Sequence, residues 1–260
     1  MATALIAGAI GAGTPPDELL VIERSTSQRQ HLEQTYGLRC LTTGEVAEVK
    51  VDAVVWAVKP QHMRAAVEEL GNGLASALHV SIAAGLPSSV LKEWLKSDRV
   101  IRTMPNSAAT IGAGVTGIFA GSGVTPADRS LAEKLLSPTG KIVWVDSDAR
   151  IDAITAVSGS GPAYVFHFLE GFQAAAQALG FSEAEGRDLA LQTARGAVLQ
   201  ALAGDESLSV LRQRVTSEKG TTVAALEVLD HEGTQRSLSN AIDAAFVRAQ
   251  EIATEWSGAR

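Results

Sequence analysis

Short apolar runs alternate with helix-patterned pieces through the first half of the chain, and this alternation restricts the fold more than any other feature. Candidate strands are Leu19–Glu23, Arg39–Thr42, Asp52–Val58, His79–Ala83, Val100–Met104, Val115–Ala120 and Ile142–Val145. They are rich in Val and Ile, and several lack polar alternation, as strands covered on both faces do. Helix-like stretches such as Ser27–Tyr36, His62–Leu70 and Ser88–Leu95 lie between them. Strand–helix alternation of this kind predicts an α/β fold, a mostly parallel sheet with helices on both sides.

From about Ser147 onward the strand pattern stops. Ser182 and Glu185 form a capping-box pattern ahead of an apolar-periodic run. Leu238, Ile242, Ala245, Ala249, Ile252 and Trp256 follow a 4-3-4-3-4 spacing that lines one face of a helix. Such a seam suits either an internal core face or a contact between subunits. The domain boundary falls near Asp146–Asp148, giving an α/β domain over residues 1–147 and an all-helical domain over residues 148–260.

Charge and composition remove several function classes. A net charge of -7, with no Lys/Arg cluster, argues against a nucleic-acid partner. Cys40 is the one cysteine, so no intramolecular disulfide forms, which fits a reducing cytoplasm. His31, His62, His79, His167 and His231 show no ligand spacing, and no metal is expected. Met1–Ala12 is apolar but lacks the positive leading region of a signal peptide. No membrane span is expected, because the Ala-rich stretch Ile151–Gly180 is interrupted by Asp152, Pro162 and Glu170.

The chemistry-bearing blocks sit at strand ends and helix starts. Ala57-Val58-Lys59-Pro60 follows the run Val51–Trp56, and Pro60 stops that strand. In open α/β sheets, ligands bind outside the carboxyl ends of strands. Ser81-Ile82-Ala83-Ala84-Gly85 closes the next strand, and Met104-Pro105-Asn106 ends another. Small residues there allow either a flat ligand or a neighbouring helix to approach closely. Glu23-Arg24-Ser25 ends the first candidate strand. An acid at such a position accepts ribose hydroxyls, and an Arg holds the extra phosphate of NADP, so the pair leaves the choice between NADPH and NADH open. Ser158-Gly159-Ser160-Gly161-Pro162-Ala163-Tyr164 is dense in special residues, with Ser160 expected as a helix cap and Pro162 in the first turn. In Val215–Leu226, Gly and hydroxyl residues precede an apolar helical run. Free amides at such a helix start suit a carboxylate, although simple N-capping explains the local pattern equally well.

Taken in order, these blocks resemble the pyrroline-5-carboxylate reductase family, whose members show AVKP, S-x-AAG, MPN, SGSGPAY and TS-x-x-G-x-T. The resemblance covers essentially the whole chain. It implies a Rossmann-like N-terminal domain, an all-helical C-terminal dimerisation domain and an active site between them. It also implies NAD(P)H-dependent reduction of a cyclic imine carboxylate to L-proline by a homodimer or higher homo-oligomer. By position, Ala57, Val58, Lys59 and Pro60 would meet the nicotinamide nucleotide, with Ala83 and Ala84 nearby and Arg24 and Ser25 at the adenosine end. Ser217, Thr221 and Thr222 match the contacts to the substrate carboxylate and ring nitrogen, with Thr222 assigned to the nitrogen. Asp148 stands where the family often has an acidic residue near the substrate.

Departures from the pattern are informative. Glu218-Lys219 replaces the Pro-Gly of many relatives. The opening Met1-Ala2-Thr3-Ala4-Leu5-Ile6 resembles the family from an internal methionine onward. The family's first strand and its Gly-rich pyrophosphate turn, which need about ten residues, are therefore expected to be missing. That strand is central, and its loss unpairs both neighbours. Two rival readings follow: a truncated, non-catalytic relative acting as a helical dimer or binding module, and a related imine or hydroxyacid reductase. The hydroxyacid type uses a Lys on the interdomain helix, and Ile151–Gly180 contains none.

Overall fold

The computed structural model describes residues 1–45, 49–70 and 74–258. It divides into two compact units, Met1–Ser160 with Ala245–Arg260, and Gly161–Ala244.

The first unit carries every expected strand, most of them trimmed at one end: β1 (Leu20–Ile22), β2 (Arg39–Leu41), β3 (Ala53–Trp56), β4 (Leu78–Ser81), β5 (Val100–Met104), β6 (Gly114–Ala120) and β7 (Gly140–Val145). β3 to β7 form one sheet in sequence order, whereas β1 pairs with β2 in a separate parallel ribbon. No strand among the described residues links β1 to β3, the break anticipated from the loss of a central strand. β6 runs antiparallel to β5, and the other pairs in the sheet are parallel. The reason is the link between β5 and β6, which is too short for the crossover of a dozen or so residues that parallel neighbours require.

Helices cover both faces of this sheet. Trp56 of β3 and Val100 of β5 pack with Met63 of α3 (Pro60–Leu70) and with Val90, Leu91 and Leu95 of α4 (Ser88–Leu95). On the opposite face Leu78, Val80, Ile101 and Ile118 meet Leu5 of α1 (Ala2–Gly11) and Ala132 and Leu136 of α5 (Pro126–Leu136). β4 is buried along its whole length, which explains its near-continuous apolar sequence. The ribbon β1–β2 flanks α2 (Thr26–Tyr36), which ends on Gly37 in the left-handed region. Thr125 and Asp128 form a capping box at the start of α5.

α6 (Asp148–Ile154) starts where the sheet ends, then passes through a π-helical turn, Thr155–Gly159. The change of composition at residues 147/148 thus marks a change of secondary structure, while the break in packing comes later, after Ser160. Ile154 seats against Gly117 of β6, and Arg102 of β5 pairs with Asp152 of α6, so both hold α6 to the sheet. The C-terminal part of α11 (Thr234–Gly258) also belongs to this unit, with Trp256 edge-on to Trp94 at 6.1 Å.

The second unit is helical: α7 (Gly161–Ala178), α8 (Glu183–Leu202), α9 (Leu208–Arg214), α10 (Thr221–His231) and the first part of α11. The expected capping box of Ser182 and Glu185 starts α8. Ser160 departs from expectation. It has right-handed helical angles, φ -85° and ψ -20°, and caps nothing, because the π-helical turn leads directly into α7. Gly186 lets α8 approach Ala176 and the Gln173 carbonyl of α7. Phe166, Phe168, Phe172, Leu199 and Leu202 remain exposed, an apolar surface of the kind that marks protein contacts. No described helix is long and apolar enough to cross a membrane, and no metal-ligating cluster occurs among the described residues.

Candidate active site

The candidate residues fall into two groups, one in each compact unit. Those assigned to the cofactor lie in the first unit. Ala57, Val58 and Lys59 form the turn that leaves β3, and Pro60 is the first residue of α3. The amide of His62 donates to the Lys59 carbonyl at 2.9 Å, which ties this turn to the helix start. Ala57 and Lys59 are exposed, while Val58 packs against the core beneath.

The parallel turn after β4 behaves differently from expectation. Ala83 is a core residue at 3% exposure, and its amide donates to Ser81 Oγ at 3.3 Å. Ala84 alone of this pair is exposed. Gly85 has φ +77°, and a Cβ there would come within 2.5 Å of Ile252 Cγ2. Smallness at Gly85 therefore admits the protein's own C-terminal helix.

The MPN and SGSG blocks meet directly. Asn106 Nδ2 donates to the Ser158 carbonyl at 3.1 Å, and Asn106 Oδ1 accepts from the amide of Val115 at 3.2 Å. Gly159 leaves room for Met104 Cε, which would lie 2.6 Å from a Cβ at that position. Isolated π-turns within helices are frequent at functional sites.

At the end of β1, Ser25 has a local task as well as its expected one: its Oγ accepts from the Gln28 amide and caps α2. Glu23 Oε1 accepts from the Ser25 amide at 2.8 Å. Arg24 extends to Glu69 of α3 and pairs with its carboxylate. Asp148 is engaged by the fold. Its carboxylate accepts from the Ser88 amide at 3.0 Å, from Ser88 Oγ, and from Arg102 Nη1 at 2.8 Å.

The second group, in the helical unit, surrounds the start of α10. Gly220 precedes the helix, and no side chain caps it. The Gly220 amide donates to the Ser217 carbonyl at 3.1 Å, closing a tight turn. A Cβ on Gly220 would lie 2.4 Å from Ser217 Oγ, so only glycine permits this approach. Lys219 takes φ +58°, a left-handed conformation that glycine adopts without strain. Thr216 Oγ1 bonds back to the Arg212 carbonyl at 2.6 Å, which leaves Ser217, Thr221 and Thr222 as the hydroxyls of the turn. The first amides of a helix have no partner within it. Here they lie beside three hydroxyls and the positive end of the helix, a setting that suits a carboxylate.

Sequence reading missed several participants. Glu69 sits in an ordinary amphipathic helix and carries no motif. Arg102, in the middle of an apolar strand, was a readable signal, since a buried guanidinium demands acidic partners. His79 is another: it is 2% exposed, and its Nδ1 accepts from Trp56 Nε1 at 3.1 Å.

Comparison with known proteins places this geometry in a family context. Residues 148–252 match a family model described as pyrroline-5-carboxylate reductase dimerisation. Residues 1–85 match one described as NADP oxidoreductase coenzyme F420-dependent. The chain is 38% identical to the pyrroline-5-carboxylate reductase of Pseudomonas aeruginosa over 98% of its own length and 94% of that protein. It is 34% identical to the enzyme of that name from Arabidopsis thaliana, covering 97% and 94% of this chain and the entire relative's 92% respectively in the two lengths compared. A solved pyrroline-5-carboxylate reductase from Coxiella burnetii superposes with a TM-score of 0.91 at 34% identity, covering 97% of this chain and 94% of that one. The NADP-bound pyrroline carboxylate reductase of Plasmodium falciparum superposes with a TM-score of 0.84 at 25% identity, over 96% and 94% of the two chains.

Proposed function

Because the chain belongs to the pyrroline-5-carboxylate reductase family, we propose that it reduces 1-pyrroline-5-carboxylate to L-proline with NADPH, NADH being the alternative donor. The observation that carries this reading is the near-complete coverage of the Pseudomonas aeruginosa relative at 38% identity. Such coverage does not favour a helical binding module or a hydroxyacid reductase. The architecture is a Rossmann-like domain followed by a helical dimerisation domain. We assign the first to residues 1–147 and the second to residues 148–260.

The residues present fit a nicotinamide cofactor at its two ends. Ala57, Val58, Lys59 and Pro60, with Ala84, offer an exposed turn at the carboxyl end of a parallel strand, the usual ligand crevice. Arg24 offers a guanidinium, and Ser25 a hydroxyl, for the adenosine end. Among the described residues no Gly-x-Gly turn leads from a strand into a helix, so no pyrophosphate cradle is assigned. When bound, the reduced nicotinamide supplies the hydride that converts the ring C=N to an amine.

The chain's own residues bind and orient the imine. The amides at the start of α10, with Ser217 Oγ and Thr221 Oγ1, hold the substrate carboxylate. Thr222 Oγ1 hydrogen-bonds the ring nitrogen and keeps the ring aligned for transfer. No acid of shifted pKa is needed for these tasks. Asp148 acts through Ser88 and Arg102 as a positioning residue for α4 and α6.

The exposed apolar faces of α7 and α8 support a homodimer, or a higher homo-oligomer, formed through the helical domain. Cys40, half-buried in β2 with its thiol pushed up by burial and by Glu33, suits a reducing cytoplasm. The direct test is consumption of NADPH driven by pyrroline-5-carboxylate. Thr222→Ala is expected to cut the maximal rate, and an unchanged rate would remove Thr222 from the reaction.

A further inference from the structure

A guanidinium at the end of a nucleotide-binding strand serves a 2′-phosphate only when it is available to it. Arg24 is 65% exposed, but its Nη2 is paired with Glu69 Oε2. The other oxygen, Glu69 Oε1, accepts from Thr43 Oγ1 at 2.6 Å. Glu69 therefore clamps three segments: the end of β1, the turn after β2 and helix α3. The hydrogen bond from Thr43, then that from Arg24, hold its carboxyl below the usual carboxylate range, so it is charged at neutral pH.

The surrounding charges are otherwise committed. Glu23 accepts from the Ser25 amide. Arg29 donates to the Glu23 and Arg24 carbonyls at 2.7 and 2.9 Å and to Thr26 Oγ1. Glu45 accepts from Thr42, and Arg64 pairs with Glu68. Glu69 is thus the carboxylate that answers Arg24.

We propose that Glu69 is a specificity-determining residue: by holding Arg24 it lowers affinity for a 2′-phosphorylated adenosine cofactor relative to its unphosphorylated counterpart. This rests on the reading that Arg24 meets the adenosine end. A 2′-phosphate must take the guanidinium from a carboxylate and then sit beside that negative charge. The unphosphorylated ribose faces neither obstacle. Exposed ion pairs are weak, so the effect is modest and shrinks with salt.

The test uses ligand fragments and needs no turnover. Binding of adenosine 2′,5′-bisphosphate and of adenosine 5′-monophosphate is measured by calorimetry on the folded protein and on Glu69→Gln, Arg24→Ala and the double variant. Glu69→Gln keeps an acceptor for Thr43 and removes the charge. It is expected to tighten the bisphosphate about three- to tenfold and to leave the monophosphate within about twofold. The gain is expected to vanish in about 0.5 M salt and in the Arg24→Ala background. Bisphosphate binding that Arg24→Ala weakens but Glu69→Gln leaves unchanged overturns the role of Glu69 alone. Bisphosphate binding indifferent to Arg24→Ala overturns the placement of the adenosine end, and the role of Glu69 with it.

Discussion

Arg102 Nη2 donates to Asp152 Oδ1 at 2.6 Å, with the two side chains 1% and 8% exposed. The same guanidinium donates to Asp148 at 2.8 Å. One buried ion cluster therefore fixes β5 to α6, just before the π-turn that meets Asn106. Removing one partner strands a buried charge. Asp152→Ala is expected to lower unfolding stability by about 3–5 kcal/mol in a denaturant titration. A loss below about 1 kcal/mol would show that water or another group replaces the partner.

His79 predicts a pH dependence. Burial, and then the nearby positive charge of Arg99, push its imidazole down to about 4. The unfolded value is about 6.5, so the unfolded chain binds the extra proton between these limits. The contribution is present above about pH 6.5 and is lost as pH falls toward 4. His79→Gln, which keeps an acceptor for Trp56, should flatten the stability curve across that window. Asp128, held at about 2 first by its hydrogen bond from Arg99, loses its contribution only at lower pH and does not confuse the reading. An unchanged slope in His79→Gln would contradict the assignment.

At Gly85 the left-handed backbone and the contact with Ile252 oppose any side chain. Gly85→Ala is expected to cost about 1–3 kcal/mol, and a second change, Ile252→Ala, to relieve the steric part of that cost. Additive losses in the double variant, measured by chemical unfolding, would show that the two positions do not interact.

Lys219 pays a conformational cost at φ +58°. Lys219→Gly is expected to raise stability by about 0.5–1 kcal/mol and to leave cofactor-fragment binding unchanged. A destabilised variant in thermal unfolding would mean that the Lys side chain contributes more than its backbone strain removes.

Much of this architecture was legible because it depends on local pattern. β4 could be read from its apolar run because both its faces are covered, and α11 from the spacing of Leu238 through Trp256. The helix-start site was legible through Gly220 and its hydroxyl neighbours. Long-range pairings were not. Nothing local to Glu69 signals Arg24, and Asp148 looks like a ligand contact until Ser88 and Arg102 are seen to hold it. Ser160 looked like a cap because sequence does not reveal that a π-turn carries the helix through it. The antiparallel β6 depended on the length of a connection, a property that strand patterns do not display.

The central claim is tested most directly by following NADPH absorbance and proline formation together, with pyrroline-5-carboxylate as substrate, in the native protein and in Thr222→Ala. The account predicts one NADPH consumed per proline formed, and a maximal rate reduced about tenfold or more in Thr222→Ala with adenosine-fragment binding unchanged. A folded protein that binds the adenosine fragment yet forms no proline would contradict it.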